Sequence, residues 1–226
     1  MLYHGQEVRT LCEFEEMCRE GKVIVYGCGG HARSIVNTIH ELCDRVEIIL
    51  LDSNAKQGEI ILGCKTVLEY ELREMDCYII AIGDNKTRFE LYQKLNRDQK
   101  GRYISVISKH SSVGMETIIG KGVFIGANAY IGPQAEIGDN TIINTGSIIE
   151  HEAKIGNHTH IAPHATICGR AKVGNHVFCG AGSVVIDNIS ICDNTVIGAG
   201  AVVKENIVEA GLYVGVPAKK VSRTKV

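Results

Sequence analysis

The chain has 226 residues and a formal net charge of -2 at pH 7. Acidic and basic residues are intermixed, so we expect no binding of nucleic acid and no binding to an anionic membrane. No run approaches the roughly 18 apolar residues that span a bilayer, and the start lacks a secretory pattern, which predicts a cytoplasmic protein acting on a small molecule. Nine cysteines occur without a C-x-x-C pair, so we interpret them as core residues.

The first half of the chain alternates strand and helix patterns. Residues 1–20 form an N-terminal extension, in which Leu11, Phe14 and Met17 suggest an amphipathic cap. The apolar strand "VIVY" follows, and after it come the turn "GCGGHA" and an amphipathic helix. Further strands are predicted in "VEIILLDSN" and "CYIIAIGD", followed by a helix from about Thr87. The pattern predicts a Rossmann-like α/β domain with a parallel sheet over residues 21–104, with its ligand at the carboxyl ends of the strands.

The turn after the first strand carries candidate anion-binding residues. Gly27, Gly29 and Gly30 precede the helix, and Asp52 ends the next strand. Such glycines let a pyrophosphate approach a helix N-terminus, while the acid holds a ribose. About 80 residues are too few for a two-halved NAD domain, so a nucleotide diphosphate-sugar is favoured over NAD. Asp52 either binds ribose or base, or accepts hydrogen bonds from loop amides.

The second half repeats every six residues. From Ile107 to Val203, seventeen positions spaced by six hold Ile or Val, with Cys179 as the exception, and glycine often follows. A period of six fits neither a helix nor a simple hairpin and is typical of a hexapeptide parallel β-helix, here over residues 105–208. Three hexads close one coil of about 18 residues, and we expect the glycines to allow tight corners. Residues 209–226 are predicted to form a C-terminal tail.

The repeat array, followed by "GLYVGVPAKKV", resembles the left-handed β-helix acyltransferases, which use a coenzyme A thioester. Together with "GCGGHA", "IAIGDNKTR", "NTGSIIEHE" and "HTHIAP", it resembles the nucleotide-4-amino-sugar N-acetyltransferases and the sialic-acid O-acetyltransferases. The resemblance implies an all-β domain, a parallel β-helix that winds in the left-handed sense. It also implies acetyl-CoA as co-substrate, no metal, and a nucleotide-sugar acceptor. The expected assembly is a homotrimer whose acyl pocket lies between neighbouring β-helices.

The segment "IIEHEAKIG" contains the candidate general base. Acyl transfer to an amine or hydroxyl needs a base near the nucleophile, and histidine suits this task at neutral pH. Either Glu150 or Glu152 can accept the second imidazole N–H of His151 and fix its tautomer. The resemblance implies that His151 is the base and Glu152 its orienting partner, with Glu150 as the alternative.

Further site residues follow from the same resemblance. It implies that Asn144 and His31 contact the acceptor sugar and that His160 contacts the acetyl group or the amide chain of the coenzyme. A structural histidine remains the alternative for His160, and a solvent-facing residue for His31. The backbone amide of Gly169, one coil after His151, is a candidate to stabilise the developing oxyanion.

The other histidines of the repeat indicate structural roles. His158 and His176 are 18 residues apart, and Asn140 and Asn194 continue this spacing, which predicts a polar ladder on one corner. Nothing in the sequence decides the role of His164.

Two other functions are less favoured by the sequence than acyl transfer. A β-helix carbonic anhydrase has two zinc-binding histidines five positions apart, a spacing absent among the histidines from 151 to 176. A non-catalytic nucleotide-sugar-binding protein is less favoured because the set of Asn144, His151 and His160 is intact. Ala32 and the single acid in "LLDSN" depart from the family pattern in the nucleotide pocket. UDP-4-amino-sugar N-acetylation is favoured, and O-acetylation of a sialic acid or related sugar remains the alternative.

Overall fold

The computed structural model describes residues 21–43, 45–56, 58–98 and 100–221. The N-terminal extension, with its predicted amphipathic cap, lies outside the described residues. The described chain forms an N-terminal α/β domain that packs against one side of a left-handed parallel β-helix. An α/β domain followed by a β-helix is the arrangement that the sequence predicts. In the described residues, neither helix is long and apolar enough to cross a bilayer.

The N-terminal domain is built around a six-stranded sheet with the strand order β3-β4-β2-β1-β5-β6. Its elements are β1 (Val23–Tyr26), α1 (Gly30–Leu42), β2 (Ile48–Leu51), β3 (Ile60–Ile61), β4 (Cys64–Val67), β5 (Cys77–Ile80), α2 (Asn85–Asp98) and β6 (Arg102–Tyr103). All pairs are parallel except β3 with β4. That hairpin was not predicted; its turn holds Leu62 and Gly63 at φ 49° and 77°, the positive values that two-residue hairpin turns require.

The β-helix has three faces of two-residue strands. Face 1 contains β7 (Val106–Ile107), β10 (Phe124–Ile125), β13 (Ile142–Ile143), β16 (His160–Ile161), β19 (Phe178–Cys179), β22 (Val196–Ile197), β24 (Leu212–Val214) and the antiparallel β25 (Lys219–Lys220). Face 2 contains β8 (Ser112–Val113), β11 (Tyr130–Ile131), β14 (Ile148–Ile149), β17 (Thr166–Ile167), β20 (Val184–Val185) and β23 (Val202–Val203). Face 3 contains β9 (Ile118–Ile119), β12 (Glu136–Ile137), β15 (Lys154–Ile155), β18 (Lys172–Val173) and β21 (Ser190–Ile191).

The second residue of each hexad strand points into the shaft, where equivalent aliphatic side chains stack coil upon coil. Ile125 pairs with Ile143 one coil later, for example, and both are fully buried. β24 pairs in parallel with β22, so the described part of the predicted tail continues face 1. The aliphatic six-residue pattern therefore determines the core of the β-helix.

The turns of the β-helix use glycine differently from the expectation. At fifteen consecutive turns, from Glu116 to Gly200, the residue three positions after the aliphatic one has a φ between 54° and 66°, and only four of these residues are glycine. The glycines that directly follow the aliphatic residue are needed for a different reason. A Cβ on Gly132 would lie 2.5 Å from the backbone nitrogen of His151 in the next coil, so these positions leave no space for a side chain.

Candidate active site

His151 lies in the turn between face 2 and face 3, two residues after the end of β14. Its Nδ1 is 3.0 Å from Oε2 of Glu152. A carboxylate only accepts hydrogen bonds, so Nδ1 carries a proton, and in the neutral form of the imidazole the lone pair lies on Nε2. Both side chains are about half exposed, at 44% and 50%. Of the two glutamates that flank His151, Glu152 is the one that pairs with the imidazole in the structure.

Gly169 lies one coil below His151 on the same corner. A Cβ on Gly169 would come within 2.6 Å of Cε1 and Nε2 of His151, so the imidazole rests against the Gly169 backbone. Among the described residues, the Gly169 N–H donates no hydrogen bond. An Arg170–Asp187 ion pair with contacts of 2.9 and 2.7 Å continues the corner. This corner therefore places two groups without hydrogen-bond partners among the described residues side by side, namely Nε2 of His151 and the Gly169 N–H.

Asn144 and His160 form a second group, where face 1 meets the N-terminal domain. His160 is 8% exposed, and its Nδ1 is 3.1 Å from the carbonyl oxygen of Gly83, which lies in the loop after β5. Its Nε2 is 3.3 Å from Nδ2 of Asn144. Burial, together with the cation of Arg88, lowers the pKa of His160 to about 4, although the bond to Gly83 acts in the opposite direction. His160 is therefore neutral, with partners on both nitrogens.

His31 belongs to this second group. Its ring packs edge-on against Phe124 at 5.0 Å and lies 6.4 Å from the ring of His160. Burial, then His160 and Arg88, lower the pKa of His31 to about 3. Its Nε2 is buried and has no hydrogen-bond partner among the described residues, which does not fit a solvent-facing histidine. A buried polar atom without a partner is a position where a ligand can bond.

The glycine-rich turn leaves the N-terminus of α1 open. Gly29 is the N-cap without a side-chain hydrogen bond, and the first turn holds no acidic residue. A Cβ on Gly29 or Gly30 would meet nothing within 4 Å. Gly27 has a φ of 116°, and a Cβ there would lie 3.0 Å from the carbonyl oxygen of Ala81. The free N–H groups of α1 can therefore face an anion.

Asp52 lies beside this turn at the end of β2. Its Oδ2 accepts hydrogen bonds from the N–H and S–H groups of Cys28, both at 3.2 Å, and its Oδ1 accepts one from the Asn54 N–H at 2.9 Å. The carboxylate thus has the loop-bonding role that the sequence left open. Binding of ribose or base by Asp52 stays a prediction.

The two groups of site residues are separated within one chain. Asn144 lies in the turn from face 1 to face 2, whereas His151 lies in the next turn, so β14 stands between them. The described residues show no contact of His151 with Asn144, His160 or His31. The structure brings Asn144, His160 and His31 together and leaves His151, Glu152 and Gly169 on another corner.

A cavity of about 660 Å³ opens beside His160, between the start of α2 and face 1. It is lined by Gly83, Asp84, Asn85, Lys86, Phe89, His160, His176, Phe178, Asn194 and Val196. Its size suits a small ligand or part of a larger one. A larger groove of about 1100 Å³ runs along face 3 and contains none of the predicted site residues.

The predicted polar ladder is present at the corner between face 3 and face 1. Nδ2 of Asn140 is 2.9 Å from Nδ1 of His158, and the rings of His158 and His176 stack with centroids 5.0 Å apart. These residues, His164 and Asn194 all occupy turn positions with φ between 54° and 58°. Several imidazoles of the repeat therefore have a structural place in the turns.

Two residues at the domain junction were not recognised in the sequence as important. Arg88 is 1% exposed and donates to carbonyls of both domains. Tyr103 donates a 2.6 Å hydrogen bond to Oδ1 of Asn140. The one sequence signal for Arg88 is its place in "IAIGDNKTR". Its position near the start of a helix does not indicate burial, because a polar residue there is usually exposed unless another domain covers it.

Comparison with known proteins assigns both halves of the chain. Residues 22–95 match the PglD N-terminal domain. Three ranges match the bacterial transferase hexapeptide (six repeats), namely residues 116–151, 135–169 and 170–205. The two matches correspond to the α/β domain and the β-helix, which confirms the recognised resemblance.

Three solved structures resemble most of this chain. The acetyltransferase domain of PglB from Neisseria gonorrhoeae FA1090 is 26% identical with a TM-score of 0.84, covering 88% of this chain and 99% of that chain. The same domain in complex with acetyl coenzyme A gives 25%, 0.83, 88% and 98%. A variant of perosamine N-acetyltransferase from Caulobacter crescentus, in complex with CoA and GDP-perosamine, is 30% identical with a TM-score of 0.79, covering 89% and 97%. With this identity over nearly the full length of both chains, the protein belongs to the hexapeptide-repeat sugar acetyltransferases with a PglD-type N-terminal domain.

Proposed function

We propose that this protein transfers the acetyl group of acetyl-CoA to the amino group of a UDP-linked 4-amino-sugar. The observation that carries the chemistry is the His151–Glu152 pair, which turns Nε2 of His151 toward Gly169, whose N–H has no hydrogen-bond partner among the described residues. A base and an oxyanion donor at one point are what direct acyl transfer requires. The complexes of related enzymes with acetyl coenzyme A and with CoA support the choice of co-substrate.

In the proposed reaction, the amino nitrogen of the sugar attacks the thioester carbonyl while Nε2 of His151 removes the proton from that nitrogen. Glu152 stabilises the imidazolium through Nδ1. The Gly169 N–H donates to the carbonyl oxygen as it gains negative charge. The C–S bond then breaks, and CoA leaves as the thiol with the proton carried by His151. The acetyl group passes directly between substrates, without an acyl-enzyme.

The acceptor would bind at the carboxyl ends of β1 and β2. Its diphosphate would face the open N–H groups of α1 at Gly29 and Gly30, with Gly27 allowing the turn. Asp52 would accept a hydrogen bond from ribose or base, and the unpartnered Nε2 of His31 would meet the sugar together with Asn144. The related perosamine enzyme is complexed with a GDP-sugar, so the choice of UDP is the finer part of the proposal.

His160 would contribute from the same junction. It is one of the residues that line the 660 Å³ cavity, a position from which it would contact the acetyl group or the amide chain of acetyl-CoA. Its two nitrogens remain bonded to Gly83 and Asn144 in this arrangement. The contact would therefore be one of packing, and the polar effect of His160 would act through Asn144.

We further propose that the site is completed between copies in a homotrimer. Face 2, which separates His151 from Asn144, carries an outward column of Tyr130, Ile148, Thr166, Val184 and Val202. Tyr130 and Ile148 are 38% and 36% exposed, and an exposed apolar column favours burial against a second copy. A threefold arrangement would place His151 of one copy beside Asn144 and His31 of its neighbour.

Labelled acetyl-CoA tests the proposed activity directly. We expect label transfer to a UDP-4-amino-sugar and slower transfer to a GDP-4-amino-sugar, with none to free sialic acid. Calorimetry should show preferential binding of UDP over GDP and CMP, weakened in Asp52→Ala but not in Glu136→Ala, which removes an acid on face 3. Acetylation of free sialic acid without nucleotide binding would instead establish the O-acetyltransferase alternative, and binding without label transfer would indicate a non-catalytic binding protein.

Subunit mixing tests the site between copies. The variants His151→Ala and Asn144→Ala should each be inactive alone. Refolded together in equal amounts, they should recover about a quarter of wild-type activity, because one neighbouring pair in four then combines an intact His151 with an intact Asn144. No recovery in mixed assemblies, or an active monomer in sedimentation, would contradict a shared site.

A further inference from the structure

Arg88 lies at the domain junction and has no part in the chemistry proposed above. Its side chain is 1% exposed, and among the described residues its guanidinium donates only to neutral oxygen atoms. These acceptors are the carbonyls of Ile82, Gly83, Asn140, His158 and Thr159 and Oδ1 of Asn85, at distances between 2.7 and 3.2 Å. The guanidinium therefore joins the end of β5 to two turns of the β-helix.

Burying the guanidinium cation of Arg88 costs free energy that burying an apolar side chain would not cost. Burial lowers the pKa of Arg88 to about 10, which still leaves it protonated at neutral pH. A buried charge without a carboxylate partner is unfavourable unless hydrogen bonds compensate for lost water. The six oxygen acceptors supply these hydrogen bonds. The positive charge of Arg88 therefore remains buried at the domain junction, close to the groups that surround it.

One of these acceptors links Arg88 to the candidate site. The carbonyl oxygen of Gly83 accepts from Nη1 of Arg88 and from Nδ1 of His160, each at 3.1 Å. A carbonyl oxygen has no proton to donate, so Nδ1 of His160 carries the hydrogen and Nε2 carries the lone pair. That lone pair can accept from Nδ2 of Asn144 at 3.3 Å.

Asn144 is thereby fixed in one orientation. Its Oδ1 accepts the Thr145 N–H at 2.8 Å, so Nδ2 is the atom that points to His160. If His160 took the other tautomer or became protonated, Nε2 would become a donor facing the Nδ2 donor of Asn144. The amide would then have to flip or move away.

We propose that Arg88 is a positioning residue for acyl transfer: through the Gly83 carbonyl it fixes the tautomer of His160 and thereby the orientation of Asn144. The role of Asn144 toward the acceptor rests on the proposed function. The effect of Arg88 on His160 does not, since it is a property of the protein without substrate.

Several charged or titratable groups surround His160, and a test must separate the effect of Arg88 from the effects of the others. Arg88 faces it from α2 and His31 from α1, while Asp84, Lys86 and His176 line the same cavity. Replacing Arg88 by an uncharged residue removes the fully buried cation and leaves the other four groups in place. The protonation of His160 should then become easier.

The decisive experiment is NMR of the full-length protein labelled with ¹³C and ¹⁵N in histidine, with the His160 signals assigned from His160→Gln. In wild type we expect the Nδ1–H tautomer and no protonation of His160 above about pH 5. In Arg88→Met we expect a mixture of tautomers and titration displaced by at least one pH unit upward. Arg88→Lys, which keeps the charge but not the planar fork of donors, should mix the tautomers with a smaller displacement.

The matched control is Tyr103→Phe, which removes another buried hydrogen bond between the domains, from Tyr103 to Asn140, without touching Gly83 or His160. It should lower the unfolding temperature and leave the His160 spectrum unchanged. In acetylation assays, Arg88→Lys should lower kcat by about ten- to a hundredfold with the KM for acetyl-CoA unchanged, the scale expected for a misplaced group.

Unchanged His160 tautomer and titration in both Arg88 variants, with only the unfolding temperature lowered, would overturn the proposal and make Arg88 a structural residue. If Arg88→Met does not fold, the spectrum of Arg88→Lys decides the question alone. A changed His160 spectrum in a protein that acetylates no amino sugar would uphold the link from Arg88 to His160 and reject the proposed function.

Discussion

At the residue scale, His151 differs from His158 and His160 because its Nε2 makes no hydrogen bond within the described residues. His158 and His160 are 8% exposed and bonded within the protein, whereas Nε2 of His151 lies at an accessible corner with Nδ1 held by Glu152. We expect His151→Gln to lower kcat at saturating acetyl-CoA by about 10²-fold or more, the scale of a lost general base. Steady-state kinetics with the preferred acceptor measures this change.

His110→Gln is the matched control for this prediction. His110 is also an exposed histidine beside a glutamate, with Nε2 3.8 Å from Oε2 of Glu41, and it is not one of the residues assigned to the candidate site. Its loss should leave kcat unchanged. Turnover close to wild type in His151→Gln would remove His151 from the mechanism.

At the element scale, the coils of the β-helix distinguish two kinds of glycine. A Cβ on Gly156 would lie 2.6 Å from the carbonyl carbon of Gly174 in the next coil, whereas Gly182, at φ +65°, would meet nothing within 4 Å. Gly156→Ala should therefore lower the free energy of unfolding by about 1–3 kcal/mol. Gly182→Asn should change it by less than about 1 kcal/mol, because asparagine tolerates this backbone region.

Urea unfolding at one fixed protein concentration compares the two variants, since assembly would otherwise change the apparent stability. Equal losses in both would show that the turn conformation, not the contact between coils, limits the choice of residue. A larger loss in Gly182→Asn would contradict the account of the turns given above.

At the scale of the whole molecule, three histidines with lowered pKa values lie where the domains meet. Burial is the main cause that lowers the pKa of His31 to about 3 and of His158 and His160 to about 4, below the value of about 6.5 in an unfolded chain. Between pH 6.5 and 4 the unfolded chain binds protons that the native protein does not. The free energy of unfolding should fall as pH falls through this window, by up to about 1.4 kcal/mol per pH unit for each histidine, and should not depend on these residues above it.

Urea unfolding at several pH values measures that slope. The control is His158→Asn, because asparagine already occupies the equivalent turn positions 140 and 194. This variant should fold and show a slope reduced by the contribution of one histidine. A stability that stays constant from pH 7 to pH 4 would contradict the burial of neutral histidines at the junction.

The six-residue aliphatic pattern was enough to predict the β-helix, because each position follows from contact with its equivalent one coil away. The ladder of Asn140, His158 and His176 followed from the same 18-residue spacing. Adjacency in the chain indicated that a glutamate pairs with His151, but it left Glu150 and Glu152 open, and only the family resemblance favoured Glu152. In these cases the interacting residues are neighbours in sequence or in the repeat, so local pattern and spacing determine the contact.

Only the tertiary structure decided what happens between the domains. Arg88 and Tyr103 lie in a polar helix and a short strand, and nothing local shows that Asn140 lies beside them or that Gly83 is shared with His160. The distance between His151 and Asn144 likewise depends on which face of the β-helix each turn borders. Such contacts join residues far apart in sequence through the docking of two separate cores, and that docking depends on the shapes of complete surfaces, which no short pattern in the sequence contains.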